Sequence, residues 1–226
     1  MANPPGLQFT LSMDGAEEGT DLAVIDFTLD DSLSKPFTLS VNFASHQDDL
    51  DPAVFLDREA GLIVWQDGQV RRRVNGVVSE FACGDTDHRR TFYDVVIRPD
   101  LWRLGLNRSW RIFQNATLPT IIQQLCEENG LIDVTLGITR ELPEREYVVQ
   151  CCESDLALIE RLAAEEGVFY FHQFDDGSHE LVFTDALQFL PTLGERAYHS
   201  RAGGIPPQRD LCNQVLTTFA EGDLLE

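Results

Sequence analysis

The chain has 226 residues, is 43% hydrophobic, and carries 38 acidic against 17 basic side chains for a net charge of −21. That balance excludes a nucleic-acid binder, which needs lysines and arginines to neutralise phosphates, and it argues against docking on anionic lipid. The length is enough for one large or two small domains with an ordinary core and no disulfide staples. Met1 to Gly6 reads as a Pro-containing tail, Leu7 to Leu11 as a first alternating strand, and Asp14 to Gly19 as an acidic loop. Ala23, Ile25, Phe27 and Leu29 are expected on one face of a second strand. Phe37, Leu39, Val41 and Phe43 alternate with polar residues and give the cleanest half-buried strand in the chain. Asp51-Pro52 opens a short helix, since proline suits a first helical turn.

Leu62 to Trp65 and Val70 to Phe81 flank Asp67-Gly68, a strong hairpin signal. Tyr93, Val95 and Ile97 alternate again and are closed by Arg98-Pro99. Several antiparallel strands with turn-rich connections in about 100 residues predict a barrel or sandwich. The period then changes to 3.6. Thr117 caps a helix with Pro119 in its first turn, and Leu118, Ile121, Ile122, Leu125 and Cys126 form its apolar stripe before Gly130 ends it. Leu131 to Leu136 follows as a strand.

Arg145 to Phe171 reads as a compact β-α-β unit. Tyr147 to Gln150 is its first strand. Ser154 is a good N-cap and Asp155 sets negative charge at the positive end of the helix dipole. Leu156, Leu158, Ile159, Leu162 and Ala163 form the apolar face, Gly167 ends the helix, and Val168 to Phe171 departs as a strand. The helix-Glu-Glu-(Asn)-Gly-strand order at Gly130 and again at Gly167 reads as shared helix-stop chemistry rather than a repeat. Asp175-Asp176-Gly177 turns a hairpin into His179 to Thr184; Leu190 to Gln208 is a Pro- and Gly-rich connection, and Val215 to Phe219 starts one more strand. The last strand, begun so late, predicts a longer parent chain.

No constellation for chemistry emerges. The histidines are His46, His88, His172, His179 and His199; His172 and His179 flank the last hairpin and are expected to be surface residues on a strand pair rather than metal ligands. His46 to Asp51 lacks the glycine and terminal glutamate of an EF-hand loop and reads as a solvated turn. Glu165 and Glu166 are expected to be solvated at the end of an exposed helix. Arg71-Arg72-Arg73, on alternating faces of a strand, reads as a set of ion pairs, and Gly203-Gly204 as a linker. No G-x-S-x-G elbow, P-loop or dinucleotide glycine pattern is present. The five cysteines, Cys83, Cys126, Cys151, Cys152 and Cys212, have no metal spacing and are expected to be free, buried small hydrophobes. No secretory leader or membrane span of roughly 20 apolar residues is expected, so export would need a dedicated machine. No catalytic, cofactor or metal site is assigned, and no enzyme activity is expected.

Arg145, Glu146, Tyr147, Gln150, Glu153, Ser154, Asp155, Arg161, Leu162, Glu165, Glu166 and Gly167 fit a recurring pattern, R-E-Y-x-x-Q-Y-x-E-S-D followed by R-L and E-x-E-G. This stretch resembles the type VI secretion spike proteins called VgrG and the related hub proteins of contractile phage tails. The likeness runs from Leu22 to Thr184 and includes Gly76-Val77, Tyr93, Arg98 to Leu104 as the barrel hairpin and its closing strand, and Arg111 to Gln114. Two departures keep apolar character: Cys151 stands where an aromatic is usual, and Leu158 or Ile159 occupies the usual aromatic helix position.

The resemblance implies a mainly β, α+β fold: a phage tail hub-like antiparallel β-barrel over 1–106, an α/β insertion module with two helices over 107–190, and a linker with the start of a second barrel over 191–226. It implies the N-terminal hub-like part of a homotrimeric spike that caps a tube of Hcp, punctures target envelopes and delivers effectors. A PAAR-type tip protein and effector cargo would join through a C-terminal region. Assembly would be cytoplasmic, followed by export through the secretion apparatus. A baseplate hub of a contractile phage or related particle is the alternative in the same fold. A glycan hydrolase using paired carboxylates on a β scaffold is the alternative of another class.

Overall fold

The computed structural model describes residues 6–17, 19–175 and 178–190. The tail before Gly6, the connection beyond Leu190, Gly203-Gly204, the strand at Val215 to Phe219, His199 and Cys212 lie outside the described residues. So do Asp176 and Gly177 of the last hairpin turn.

Six antiparallel strands form the first layer: β1 (Leu7–Met13), β2 (Ala23–Asp30), β3 (Thr38–Ser45), β4 (Glu59–Gln66), β5 (Gln69–Thr86) and β6 (Thr91–Arg98), in the order β1-β4-β5-β6-β3-β2. The sheet curls into a half-barrel. Its margins meet through side chains, with Phe9 of β1 and Phe27 of β2 packed edge to face at a centroid distance of 5.4 Å. Alternation on β3 and β6 fills the inside, because Leu39, Val41 and Phe43 stand opposite Ile97, Val95 and Tyr93, all at most 1% exposed. At Asp67-Gly68 both residues have positive φ, 51° and 75°, the two-residue turn that matches strand twist. Close strand approach fixes Gly76, where a Cβ would lie 2.4 Å from the carbonyl oxygen of Arg98. A short helix, α1 (Pro52–Phe55), is capped by the Asp51 carboxylate, which accepts the Ala53 N–H at 2.9 Å, and it stacks Phe55 on Phe81.

Strict alternation fails on β2. A bulge between Val24 and Asp26 turns Val24 and Phe27 onto the core and leaves Ile25 51% exposed. The segment expected to close the barrel as a strand is instead a 3-10 turn, Asp100–Gly105, which drives Leu101 and Leu104 into a second core.

That second core gathers β7 (Arg108–Ala116), α2 (Leu118–Glu128), β8 (Val134–Gly137), β9 (Arg145–Ser154), α3 (Asp155–Glu166), β10 (Phe169–Phe174) and β11 (His179–Thr184). Thr117 Oγ1 caps α2 and Ser154 Oγ caps α3, accepting the N–H of Thr120 and Ala157 respectively. Both helices end in the same bonding: Leu131 N–H donates to the Cys126 carbonyl at 2.9 Å, and Val168 N–H to that of Ala163 at 2.8 Å. The recurrence seen in the sequence is therefore helix-stop chemistry. Arg145 to Phe171 is not a β-α-β unit, however. β9 pairs antiparallel with β7, whereas β10 pairs with β11, which also runs parallel to β8. Strand, capped helix and strand follow one another as the sequence reads, but β10 leaves α3 to pair with β11 and not with β9.

The two cores meet at Phe37. Its fully buried ring packs edge-on against His172 and Phe174, with centroids at 5.3 and 5.2 Å. Ser34 N–H donates to the Tyr170 carbonyl across the same seam at 2.8 Å. Phe37→Ala is expected to destabilise the protein by about 3–5 kcal/mol, measured as a lower urea midpoint that β-sheet and module signals share; independent unfolding of the two would contradict this coupling.

Candidate functional site

β7 and β9 form an isolated two-stranded ribbon whose register sets Trp110 opposite Cys151, Ile112 opposite Val149 and Gln114 opposite Tyr147. All six side chains lie on one face, because successive residues of a strand point to opposite sides. Trp110 is 73% exposed, Ile112 61%, Tyr147 60% and Val149 52%. The other face, with Phe113 and Val148, is buried in the second core. The outward face therefore presents Trp110, Ile112, Tyr147 and Val149 as an exposed apolar surface, bordered by the exposed Arg108 two residues before Trp110.

Arg111 is turned away from that face. Arg111 lies over the Phe113 ring at 5.5 Å and donates to Gln150 Oε1, Glu128 Oε2 and Asp155 Oδ1 at 2.8, 2.6 and 2.7 Å. Asp155, 6% exposed, also accepts from Gln150 Nε2 at 2.7 Å and Asn129 Nδ2 at 3.3 Å. The first residue of α3 is thus more than a dipole complement: its carboxylate joins ribbon, α2 and α3. Hydrogen bonding from Gln124, then from Arg111, holds the Glu128 carboxyl below its ordinary value. Glu165 and Glu166 are not free solvated charges. Both carboxylates take Arg145, at 2.5 and 2.6 Å, and Arg145 first, then Arg161, keeps Glu165 below the usual carboxylate range. Arg161 donates to Glu153 at 2.6 Å and to the Val149 carbonyl at 3.3 Å, closing the back of the ribbon.

Other sequence expectations are redistributed. His172 is not a surface residue. It is 7% exposed, with its ring centroid 6.1 Å from that of His179, and neither of its ring nitrogens has a hydrogen-bond partner among the described residues. Burial, and then the neighbouring His179, push its pKa down to about 3. Half-buried His179 accepts the Asp100 N–H through Nε2 at 3.2 Å. His46 pairs with Asp21 at 3.0 Å on the surface, and His88 is exposed. The 46–51 run is a structural turn, with Tyr93 Oη donating to the Gln47 carbonyl and Asp51 capping α1. Arg72 pairs with Asp31 at 3.0 Å, in line with ion pairs on β5. Of the cysteines described, only Cys126 is a buried small hydrophobe, its thiol pushed up to about 11 by burial; Cys83, Cys151 and Cys152 are exposed. Among the described residues no group of three or more His, Cys, Asp or Glu is placed to hold a metal ion, and no helix is long and apolar enough to cross a membrane.

Sequence reasoning passed over the ribbon face. Its signal was present: Trp110-Arg111-Ile112-Phe113 and Tyr147-Val148-Val149 carry apolar residues on both sides of a strand, more than one buried face needs.

The fold is a curled antiparallel half-barrel joined to a small two-helix module with an exposed apolar ribbon face. The chain belongs to the phage tail baseplate hub (GPD) family, whose profile matches residues 30–219. It is similar to the type VI secretion system spike protein VgrG3 of Vibrio cholerae, 39% identical over 208 residues, covering 88% of this chain and 20% of that protein. It is also similar to the spike protein VgrG2a of Pseudomonas aeruginosa, 41% identical over 164 residues, covering 73% of this chain and 20% of that one. The chain thus spans about a fifth of the length of these curated relatives. Among solved structures, the c3393 protein of E. coli, a component of the type VI secretion system described as similar to T4 tail proteins gp27 and gp5, shares the fold. Its TM-score is 0.75 at 24% identity, over 81% of this chain and 51% of that one.

Two outcomes are expected. Asp155→Ala should cost roughly 2–3 kcal/mol, because it strips a buried acceptor from Arg111 and Gln150; denaturant melts within 0.5 kcal/mol of wild type would refute the role given to it. His172 is held neutral when folded but takes a proton near pH 6.5 when unfolded. Its contribution is full above about pH 6.5 and is lost as pH falls from there towards 3, by up to about 1.4 kcal/mol per pH unit for one proton. His172→Phe should flatten the stability-pH curve in that window by about one proton; an unchanged slope would rule the assignment out.

Proposed function

We propose that this chain is the N-terminal, hub-like part of a trimeric VgrG-type spike that caps an Hcp tube and helps drive effectors through a target envelope. In this reading residues 1–106 form the barrel unit and 107–190 the α/β insertion. Residues 191–226 lead into a second barrel, and regions further along the parent chain carry the spike tip, a PAAR-type partner and cargo. The role is mechanical: the chain holds shape while a contracting machine moves it, and no catalytic residue is assigned. Assembly occurs in the cytoplasm and export follows through the apparatus itself.

The observation that carries the reading is the exposed apolar face of the β7–β9 ribbon, and its proposed occupant is a second copy of the same chain. Copies of a chain with a net charge of −21 repel one another. They can approach at lower electrostatic cost where neither presents carboxylates, and burying Trp110, Ile112, Tyr147 and Val149 then supplies about 1.5–3 kcal/mol for each large side chain fully covered. A baseplate hub of a contractile phage is the second reading, favoured by the description of the family the chain belongs to; neighbouring genes for a secretion membrane complex or for a capsid separate the two.

Light scattering should give a trimer for the full-length parent, which should also capture tube protein, while the 226-residue chain alone should be a monomer or weak oligomer. Trp110→Ser with Ile112→Ser and Tyr147→Ser should weaken association of the parent at least tenfold with an unchanged circular dichroism spectrum. A parent that stays monomeric and never binds tube components would sink the proposal, and full trimerisation of the triple variant would remove the ribbon from it.

A further inference from the structure

A second feature of the seam is independent of the ribbon. A cleft of about 290 Å³ opens between the half-barrel and the module, lined by residues including Asp14, Glu59, Asp100, Asp133 and His179. No lysine or arginine lines it. Behind it a chamber of about 10 Å³, close to the space one water needs, shares Asp100, Asp133 and His179 with the cleft and is walled by His172. The imidazole of His172 is therefore an unpartnered polar group, 7% exposed, that walls the chamber adjoining the acidic cleft.

The chemistry of the lining defines what fits. Four carboxylates reject phosphates and other anions. The volume is that of one long side chain and falls at the lower limit for small-molecule pockets. Arg103, the nearby guanidinium, is already engaged by Asp57 at 2.7 Å and by Asp100 at 2.8 Å, so it leaves Asp14, Glu59 and Asp133 uncompensated. His179 accepts through Nε2, which puts the proton of its neutral ring on Nδ1 and adds no positive charge to compete with a cation. Asn75 fixes the rim by donating to the carbonyls of both Asp175 and Ser178 at 3.0 Å.

We propose that the cleft is a receptor for the guanidinium of an arginine side chain presented by a partner polypeptide. A planar fork bridges two separated carboxylates, which a point-charged ammonium does less well. A single water in the chamber would then relay a hydrogen bond from the seated cation to the acceptor nitrogen of His172, satisfying a buried group that is otherwise unpaired.

The test is titration of the 226-residue chain at pH 7.5 with N-acetyl-arginine amide, followed by the ring C–H resonances of His172 and His179. Saturable shifts of both rings are expected, with N-acetyl-lysine amide several-fold weaker and the uncharged N-acetyl-citrulline amide inert. Glu59→Gln with Asp133→Asn, both at exposed positions, should weaken arginine binding at least tenfold while the spectrum elsewhere stays folded. Absence of saturation up to tens of millimolar, an equal response to lysine or citrulline, or full binding by the double variant would each overturn the assignment. A monomeric full-length parent would leave it standing.

Discussion

The Arg111 guanidinium is the constraint on which the presentation of the ribbon depends. A lone two-stranded ribbon has little independent stability in water, yet β7–β9 is isolated from both other sheets. Arg111 compensates by reaching Gln150 on the paired strand, Glu128 at the end of α2 and Asp155 at the start of α3. One planar group therefore ties two strands to two helices on the inner side. Together with Phe113 and Val148 in the core, it frees the outer side of the ribbon from any structural duty. Arg145 and Arg161 repeat the device at the far end of α3 and along its flank.

The seam between the cores follows a different logic. The first core contributes Phe37, and the module contributes His172, Phe174 and His179 around it. A neutral imidazole behaves there as an aromatic ring with polar edges. Burial without partners removes the charged form, since an uncompensated cation in low dielectric costs more than the proton it would gain. The two cores are thus joined in part by ring packing around a His172 that burial keeps neutral. The Ser34–Tyr170 and Asn75–hairpin bonds add direction to that packing.

Much of this was legible in the sequence where local chemistry and tertiary context agree. The alternation of Phe37 to Phe43, the Asp67-Gly68 turn, the Thr117 and Ser154 caps and the Gly130 and Gly167 stops are each decided by neighbours along the chain. What escaped depends on partners far away in sequence. The bulge at Val24–Asp26 breaks a pattern that period-two reading assumes is continuous. β9 pairs with β7 because their registers fit, a choice that strand-helix-strand order cannot disclose. His172 looked like a hairpin surface residue because Phe37, which buries it, lies 135 positions earlier. Cys151 looked like a core residue for the converse reason: among the described residues nothing covers the outward side of the ribbon, and Cys152 is exposed where the β7–β9 register shifts.

Charge placement links these features. In an acidic chain, each arginine drawn inward to pair with carboxylates removes a cation from the outer surface, which sharpens the negative field elsewhere. Arg103, Arg111, Arg145 and Arg161 are all committed in this way. The ribbon face, with Trp110, Ile112, Tyr147 and Val149 exposed and no carboxylate among the six paired side chains, stands apart from the acidic character of the chain as a whole. In the proposed pairing of two copies, charge complementarity fixes orientation before it fixes affinity, because most other approaches bring acidic surfaces together. In the assembly proposed for the chain, that exclusion contributes more to one defined placement than a larger apolar patch, which would bind in many registers.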